Sequence, residues 1–327
     1  MKKYLKRVGL SIAALSVAML AACGGSEEST TEISSSQAEP STEEVEDDID
    51  RTGWPEKFVY GILPTEDQAE LTKQFDPLVD YMENILGIEF ELFVGNDYNA
   101  LIEAMRNGHL HASGFGPFSY MLAHERGNAE AFAMGVEDPS AATYNAIFIT
   151  LEDSGLESLD DLEGKTIAYA DPASTSGHIF PKGMLINHLG LNMDTVDDHF
   201  SYVTFSGSHE ASLYSILNGD VDVAGVCDVC IERVFERVQD HPNFDKLKII
   251  AESDPIPRGP QAISMDLPEN LRELVIHAFH EMHNDPEATA FLEESGYSAF
   301  IPAEDSAFDI IRDTAAALEM SAEDLLK

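Results

Sequence analysis

Basic residues are scarce in this chain: 19 lysines and arginines stand against 60 aspartates and glutamates, a formal net charge of −41. So few cations leave no footprint for nucleic acid or for an anionic membrane surface. Cysteine is scarcer still, with Cys23 near the N-terminus and then only Cys227 and Cys230 in Cys-Asp-Val-Cys. Beyond the first twenty residues no run is apolar enough to span a membrane. Gly-x-Ser-x-Gly, Walker and His-Glu-x-x-His patterns are also missing, and the serines, histidines and aspartates lack nucleophilic spacing, so no catalysis is expected. Nor is there a repeat at solenoid periods.

The acid excess is what a halophile's surface carries. Dense carboxylates hold water, and at 1 M salt a Debye length of ~3 Å removes most of their mutual repulsion. An ordinary acidic exported protein is the plainer reading of the same numbers.

The N-terminus is an export signal. Lys2, Lys3, Lys6 and Arg7 precede the apolar run Val8–Leu20, which ends on small residues before Cys23. That run is shorter than the ~20 residues a membrane helix needs, although a plain secretory signal or a short membrane helix competes with the lipoprotein reading. Leu20-Ala21-Ala22-Cys23 looks like a bacterial lipobox. Cleavage before Cys23 and its diacylation are expected to leave the chain outside the cytoplasm, hung from a bacterial membrane by lipid alone. Residues 24–53 are Ser-, Thr-, Glu- and Pro-rich with almost nothing large to bury, the composition of a disordered tether.

From Trp54 to Lys327 the chain is longer than one core usually organises, so two lobes are expected. Phe58–Leu63 reads as a buried strand, and Leu71, Phe75, Leu78, Met82 and Leu86 form a helical stripe with Thr65 as its expected N-cap. A strand at Phe90–Val94, a helix over Tyr98–Arg106 and an apolar stretch at Ala112–Phe115 follow. The stretch runs into Gly116-Pro117, where proline suits a first helical turn. Ala146–Leu151 is a further strand; the alternation then restarts with Thr166–Ala170, Tyr202–Phe205, a helix near Glu210–Leu217 and Val221–Val226. Gln261–Leu267 and three helical stretches, Glu269–His283, Pro286–Glu294 and Ser306–Met320, return to the first lobe. The fold class expected is therefore α/β with parallel sheets, in two lobes joined by a hinge of two crossings: residues 54–150 with 255–327, and residues 151–254.

The most informative segment is Tyr169-Ala-Asp-Pro-Ala-Ser-Thr-Ser-Gly-His178, where a strand end passes through Asp-Pro into three hydroxyl residues and a glycine ahead of a helix. A helix N-terminus presents unpaired N–H groups and about half a positive charge, a ready site for an oxyanion. Ser174, Thr175 and Ser176 add hydroxyl donors, and Gly177 lets a ligand approach the backbone. N-capping by one serine is the plainer reading, and three successive hydroxyls exceed it.

With Asp-Pro-x-Ser-Thr-Ser-Gly at Asp171–Gly177 and a Gly-Pro-x-Ser-Tyr turn at Gly116–Tyr120, the chain resembles the phosphonate-, phosphite- and phosphate-binding proteins of ABC transporters from Phe58 to about Ala315. The resemblance implies a type II periplasmic-binding fold whose two lobes close on a small oxyanion, without cofactor or metal, as a monomer partnered by an ABC permease with its cytoplasmic ATPase. It implies as ligand-binding residues the phenols of Tyr98 and Tyr144, the cup Ser174, Thr175 and Ser176, His209 in Gly207-Ser-His-Glu210, and Asp228 after the Val-Asp-Val-Ala strand. Phe118, Ser119 and Gly177 are weaker candidates. A carboxylate at Asp228 would accept the proton of a protonated oxyanion or hold an amine substituent, and would penalise a fully deprotonated ligand. His209 is expected either as a neutral donor or, protonated beside a dianion, as a charge; alternatively it caps its helix. The chain departs from the family at one point. Members suited to aminoalkylphosphonates carry a second acid in a Pro-x-x-Asp-Pro crossing, where this chain reads Ile256-Pro-Arg-Gly-Pro260. Gly259 in that position favours phosphite, phosphate or methylphosphonate over amine-bearing ligands. Arg258 beside it fits an anion clamp or a solvent-exposed residue equally, and with no lysine in the cup, selectivity is expected from neutral donors.

Two other constellations remain. His277, His280 and His283 recur every three residues with Glu281, but all three cannot share one helical face, so a solvated face is favoured over zinc. Cys227 and Cys230 fit a disulfide, two buried thiols or a soft-ion site. The soft-ion option motivates a second function class, an extracytoplasmic sensor, for arsenite or a phosphorus oxyanion, acting on a membrane kinase.

Overall fold

The computed structural model describes residues 49–138 and 142–319. The export signal, Cys23, most of the tether and Met320 lie outside the described residues. The chain divides into an N-terminal unit, Met1–Thr52, and a unit from Gly53 to Lys327 that holds every sheet and helix described below.

Two mixed sheets organise that second unit. The first comprises β1 (Lys57–Ile62), β2 (Glu89–Val94), β3 (Ala112–Gly114), β4 (Ala129–Val136), β12 (Pro260–Ser264) and β13 (Ala299–Pro302), in the order β13-β4-β12-β3-β1-β2. The second comprises β6 (Ala146–Leu151), β7 (Thr166–Tyr169), β8 (Tyr202–Phe205), β9 (Val223–Cys227) and β10 (Leu247–Glu252), in the order β10-β6-β9-β7-β8. Only β1–β2, β1–β3, β7–β8 and β7–β9 pair in parallel; the other ladders are antiparallel. The parallel sheets expected from the alternation are therefore mixed, within the α/β class expected. Strands that follow a crossing, β6 on the way out and β12 on the way back, enter their sheets in the reverse direction and pair antiparallel on both sides.

Those crossings are themselves a two-stranded ladder, β5 (Thr143–Tyr144) against β11 (Ile256–Pro257), with Tyr144 opposite Ile256. Since β6 belongs to the second sheet, that sheet begins ahead of the boundary expected after residue 150. β4 carries no strand signal because Ala129, Ala131 and Ala133 alternate in it where β-branched residues would mark a strand. Its place between β12 and β13 is decided by the neighbours it pairs with.

Helices cover the sheets: α1 (Gln68–Leu86), α2 (Tyr98–Arg106) and α3 (Pro117–Gly127), then α4 (Phe180–Leu189), α5 (His209–Asn218) and α6 (Asp228–Val238), then α7 (Glu269–Glu281), α8 (Thr289–Ser295) and α9 (Asp309–Ala317). Asp67, not Thr65, caps α1, its carboxylate accepting from the Ala69 and Glu70 amides at 2.9 and 3.2 Å. The α1 stripe buries Leu71, Leu78, Met82 and Leu86 against Phe58, Phe90, Phe279 and Phe291, each such side chain contributing roughly 1.5–3 kcal/mol. Phe148, Leu162, Ile167, Leu185 and Val223 form the second lobe's own core. A third cluster runs from Tyr98, Phe115 and Phe118 through Tyr144 and Ile256 to Ala173, Ile179 and Cys227, joining the two lobes. His280 directs Nε2 to the Phe132 carbonyl at 2.8 Å, and no cluster of three metal-capable side chains occurs among the described residues.

Candidate functional site

The hydroxyl segment leaves β7 and is shaped first by Asp171. Its Oδ1 accepts the Ala173 amide at 2.8 Å, and Oδ2 accepts the Tyr98 amide, from the other lobe, at 3.2 Å. Burial pushes this carboxyl up, against the pull of the two amides. The chain then opens into a π-helical turn, Thr175–Ile179, which leads into α4 and in which the Ile179 amide reaches back five residues to the Ser174 carbonyl at 3.1 Å. Such turns are rare and recur at functional sites.

Within this turn the three hydroxyls have different duties. Ser174 is the cap: its Oγ accepts the Gly177 amide at 3.0 Å, so plain capping accounts for Ser174 and for no more. Thr175 Oγ1 accepts the Phe118 amide at 2.8 Å across the cleft, which leaves its proton for another acceptor. Ser176 lines the cavity beside them. As the first amides of the turn, those of Thr175 and Ser176 have no acceptor one turn earlier. Neither finds another partner among the described residues.

The other expected donors converge on this turn. Tyr98, the first residue of α2, and Tyr144, on β5, are buried; the Tyr98 phenol interacts with Ser174 and the Tyr144 phenol with Ser176 and Thr175. Burial raises both phenols, Tyr144 to about 12, so each remains a donor at any working pH. His209 opens α5, whose cap is Ser208 and not His209. Its Nδ1 accepts the Cys227 amide at 3.2 Å, so the ring proton resides on Nε2, which stands 3.4 Å from Ser174 Oγ. Burial lowers its pKa to about 4. Of the two states open in the sequence, the neutral donor is therefore the one the fold selects: a second proton at Nδ1 would face an N–H.

Gly177 has an unexpected use. A Cβ there would meet Ala170 Cβ at 2.5 Å, Ser174 Oγ at 2.8 Å and His209 Cε1 at 3.0 Å. Its missing side chain lets His209, rather than a ligand, approach the turn.

Tyr98, Tyr144, Ser174, Thr175, Ser176 and His209 thus line one cavity between the lobes, together with Phe115 and Gly116. Phe118, Ser119, Gly177 and Asp228 stand behind its wall. The Phe118 amide is engaged by Thr175, and Ser119 Oγ donates to the Gly116 carbonyl at 3.1 Å. Asp228 Oδ1 accepts the Asn145 and Val229 amides at 3.0 and 2.7 Å, tying the crossing to the start of α6.

Two cavity residues carry charge that the cup lacks. Arg258, 8% exposed, lines the wall beside Gly259, with Nη2 3.4 Å from Glu137 Oε1 and with Nε unpartnered among the described residues. The solvent-exposed alternative for Arg258 is thereby excluded. Arg233, unnoticed in the sequence, lines the cavity from α6; it stacks 5.3 Å from the centre of the Tyr297 ring and donates to its hydroxyl at 3.4 Å. The signal was available as spacing: Val229, Arg233 and Arg237 recur every four residues on one face of α6. Arg237 bridges Glu66 of the first lobe at 2.7 Å and Glu210 of the second at 3.2 Å, and the Glu210 carboxylate accepts the Asp67 amide at 2.8 Å. These contacts hold the lobes together around the cavity.

Cys227 and Cys230, also in the wall, form a disulfide with Cα atoms 5.1 Å apart. A site for a thiophilic anion would need both as thiols.

The family model described as the periplasmic substrate-binding protein of phosphonate ABC transporters matches residues 60–308. The chain is 29% identical over 265 residues to the phosphonates-binding periplasmic protein of Escherichia coli, covering 80% of this chain and 76% of that one. It is 28% identical over 187 residues to the phosphate-import protein PhnD of Mycolicibacterium smegmatis, covering 55% and 58% respectively. In fold it is similar to a binding-protein component of a phosphonate ABC transporter from Pseudomonas aeruginosa (TM-score 0.74, 24% identity, 80% of this chain and 86% of that one). It is also similar to PhnD1 of Prochlorococcus marinus in complex with methylphosphonate (TM-score 0.71, 19% identity, 82% and 100%).

Proposed function

Because the chain belongs to the periplasmic substrate-binding proteins of phosphonate ABC transporters, we propose that it binds phosphite, phosphate or a small phosphonate such as methylphosphonate between its lobes. It then presents the closed form to an ABC permease powered by a cytoplasmic ATPase. In this reading it works as a monomer outside the cytoplasm, tethered to a bacterial membrane through lipidated Cys23, with its lobes turning on the β5–β11 crossings.

The observation that carries the reading is the convergence on one π-helical turn of donors that are all neutral. A tetrahedral oxyanion seated there takes the Thr175 and Ser176 amides, their hydroxyls, both phenols and the Nε2 proton of His209. Each contributes through a short-range dipole in a closed cleft, where the low local dielectric strengthens it. None depends on long-range attraction, which a net charge of −41 would oppose at low salt. Closure adds to this site directly: the Phe118 amide orients Thr175 from the opposite lobe, and the Tyr98 amide fixes Asp171 at the head of the turn.

Gly259 supports a ligand without an amine. A Cβ at that position would lie 2.0 Å from the Phe115 carbonyl oxygen, so no acidic side chain fits there without moving the backbone. Calorimetry of the purified chain with phosphite, phosphate, methylphosphonate and 2-aminoethylphosphonate tests the proposal. Binding is expected for at least one of the first three and weakest for the fourth; heats at the dilution level for all four would overturn it.

A further inference from the structure

At the Arg258–Gly259 wall of the cavity one guanidinium stands beside acids that do not themselves line the cavity. Arg258 Nη2 is 3.4 Å from Glu137 Oε1, and its charge acts on the carboxyls of Asp228 and of solvent-exposed Glu232. Arg258 lines the cavity whereas Asp228, Glu137 and Glu232 do not, so a ligand meets the cation and not the acids. The guanidinium is 8% exposed, with Nε unpartnered among the described residues. Arg233, the other cation of the cavity, is already engaged with the ring and hydroxyl of Tyr297.

We propose that Arg258 determines specificity at this wall: it is a built-in counter-cation that occupies the place a ligand ammonium would take among Asp228, Glu137 and Glu232. The inference rests on the phosphorus-oxyanion reading above and adds the residue that selects the substituent. With Arg258 in place an ammonium group meets a like charge and loses its water without gaining a partner; an uncharged substituent, or none, pays neither penalty. With Arg258 removed, Asp228, Glu137 and Glu232 are left beside this wall without their cation, and the same wall becomes an ammonium site.

The test measures by calorimetry, on the purified full chain, the ratio of the dissociation constants for 2-aminoethylphosphonate and methylphosphonate. Both ligands carry the same phosphonate, so any pull of Arg258 on the oxyanion cancels in the ratio. The wild-type ratio is expected to exceed ten, Arg258→Lys to keep it, and Arg258→Gln to lower it at least tenfold. Adding Asp228→Asn to Arg258→Gln should restore the wild-type preference. Glu137→Gln changes a half-exposed side chain, keeps the fold intact, and should raise the ratio by removing one attraction for ammonium; it serves as the readout if Arg258→Gln does not fold. A ratio unmoved by Arg258→Gln, or by Glu137→Gln in that event, overturns this inference while leaving the oxyanion reading intact. If the wild-type chain binds neither phosphonate, nor phosphite or phosphate, both fall together.

Discussion

The two walls of the cavity are built on opposite principles. One is the turn Ser174–Ser176 with Tyr98, Tyr144 and His209, where every group is uncharged and the donors act through dipoles. The other gathers Arg258 beside Glu137 and Arg233 over the Tyr297 ring, so both cations have partners before any ligand arrives. The contrast separates two tasks. On the reading proposed above, the neutral wall supplies affinity for an oxyanion at any salt concentration, and the charged wall supplies discrimination among substituents.

The largest expected effect comes from altering the charged wall at its tightest point. Gly259→Asp adds an acid there, but its Cβ would lie 2.0 Å from the Phe115 carbonyl oxygen. It should cost about 3 kcal/mol of stability, the upper range of overpacking, seen as a lowered Tm and weaker binding of every phosphonate. A well-folded Gly259→Asp chain that gains 2-aminoethylphosphonate would show that the absent acid, and not Arg258, sets the specificity.

The neutral wall is exposed by acid. His209 has a folded pKa of about 4, below the ordinary 6.5, because burial opposes its charge. Its contribution to stability is complete above pH 6.5 and is lost as pH falls toward 4, on the order of 3 kcal/mol in all. Buried His178, lowered to about 3, acts in the same direction. Thermal unfolding followed between pH 7 and 4 in high salt, which screens the carboxylate repulsion, should show this loss, and His209→Gln should reduce it by the His209 share while the His178 share remains.

Single donors of the neutral wall come next. Ser176→Ala and Tyr98→Phe are each expected to weaken binding by about 1–3 kcal/mol, with Tm nearly unchanged because neither fills core volume differently. Smallest is the lobe contact outside the cavity. Arg237→Ala breaks a bridge whose arginine side chain is 32% exposed while its partners Glu66 and Glu210 are buried, so the cost falls on the closed lobes and not on the donors that hold the ligand. It would appear as faster ligand release in stopped-flow measurements.

The same contrast explains what was legible in the sequence. The neutral wall is mostly contiguous: Ser174, Thr175 and Ser176 follow one another at a strand-to-helix turn, and that chemistry is visible without coordinates. The protonation of His209 was not, since it depends on the Cys227 amide eighteen residues away. The charged wall is assembled from the crossing, from α6 and from Tyr297 near the C-terminal end, and no local pattern links Arg233 to Tyr297 or Arg258 to Glu137. Both lobes were legible in outline because buried strands and amphipathic helices alternate. Strand direction was not, because it follows from where the chain re-enters each sheet, and alanine-rich β4 gave no sign of itself until its partners were in place.

The central claim is that a phosphorus oxyanion sits in the neutral cup. It is tested most directly by calorimetric titration of phosphite and methylphosphonate into the wild-type chain and Ser176→Ala, side by side in 0.15 M and 2 M salt. The account predicts binding to the wild type at both salts and a loss of about five- to a hundredfold on removing the Ser176 hydroxyl. Wild-type binding that is unchanged in Ser176→Ala, or that disappears in 2 M salt, would contradict it.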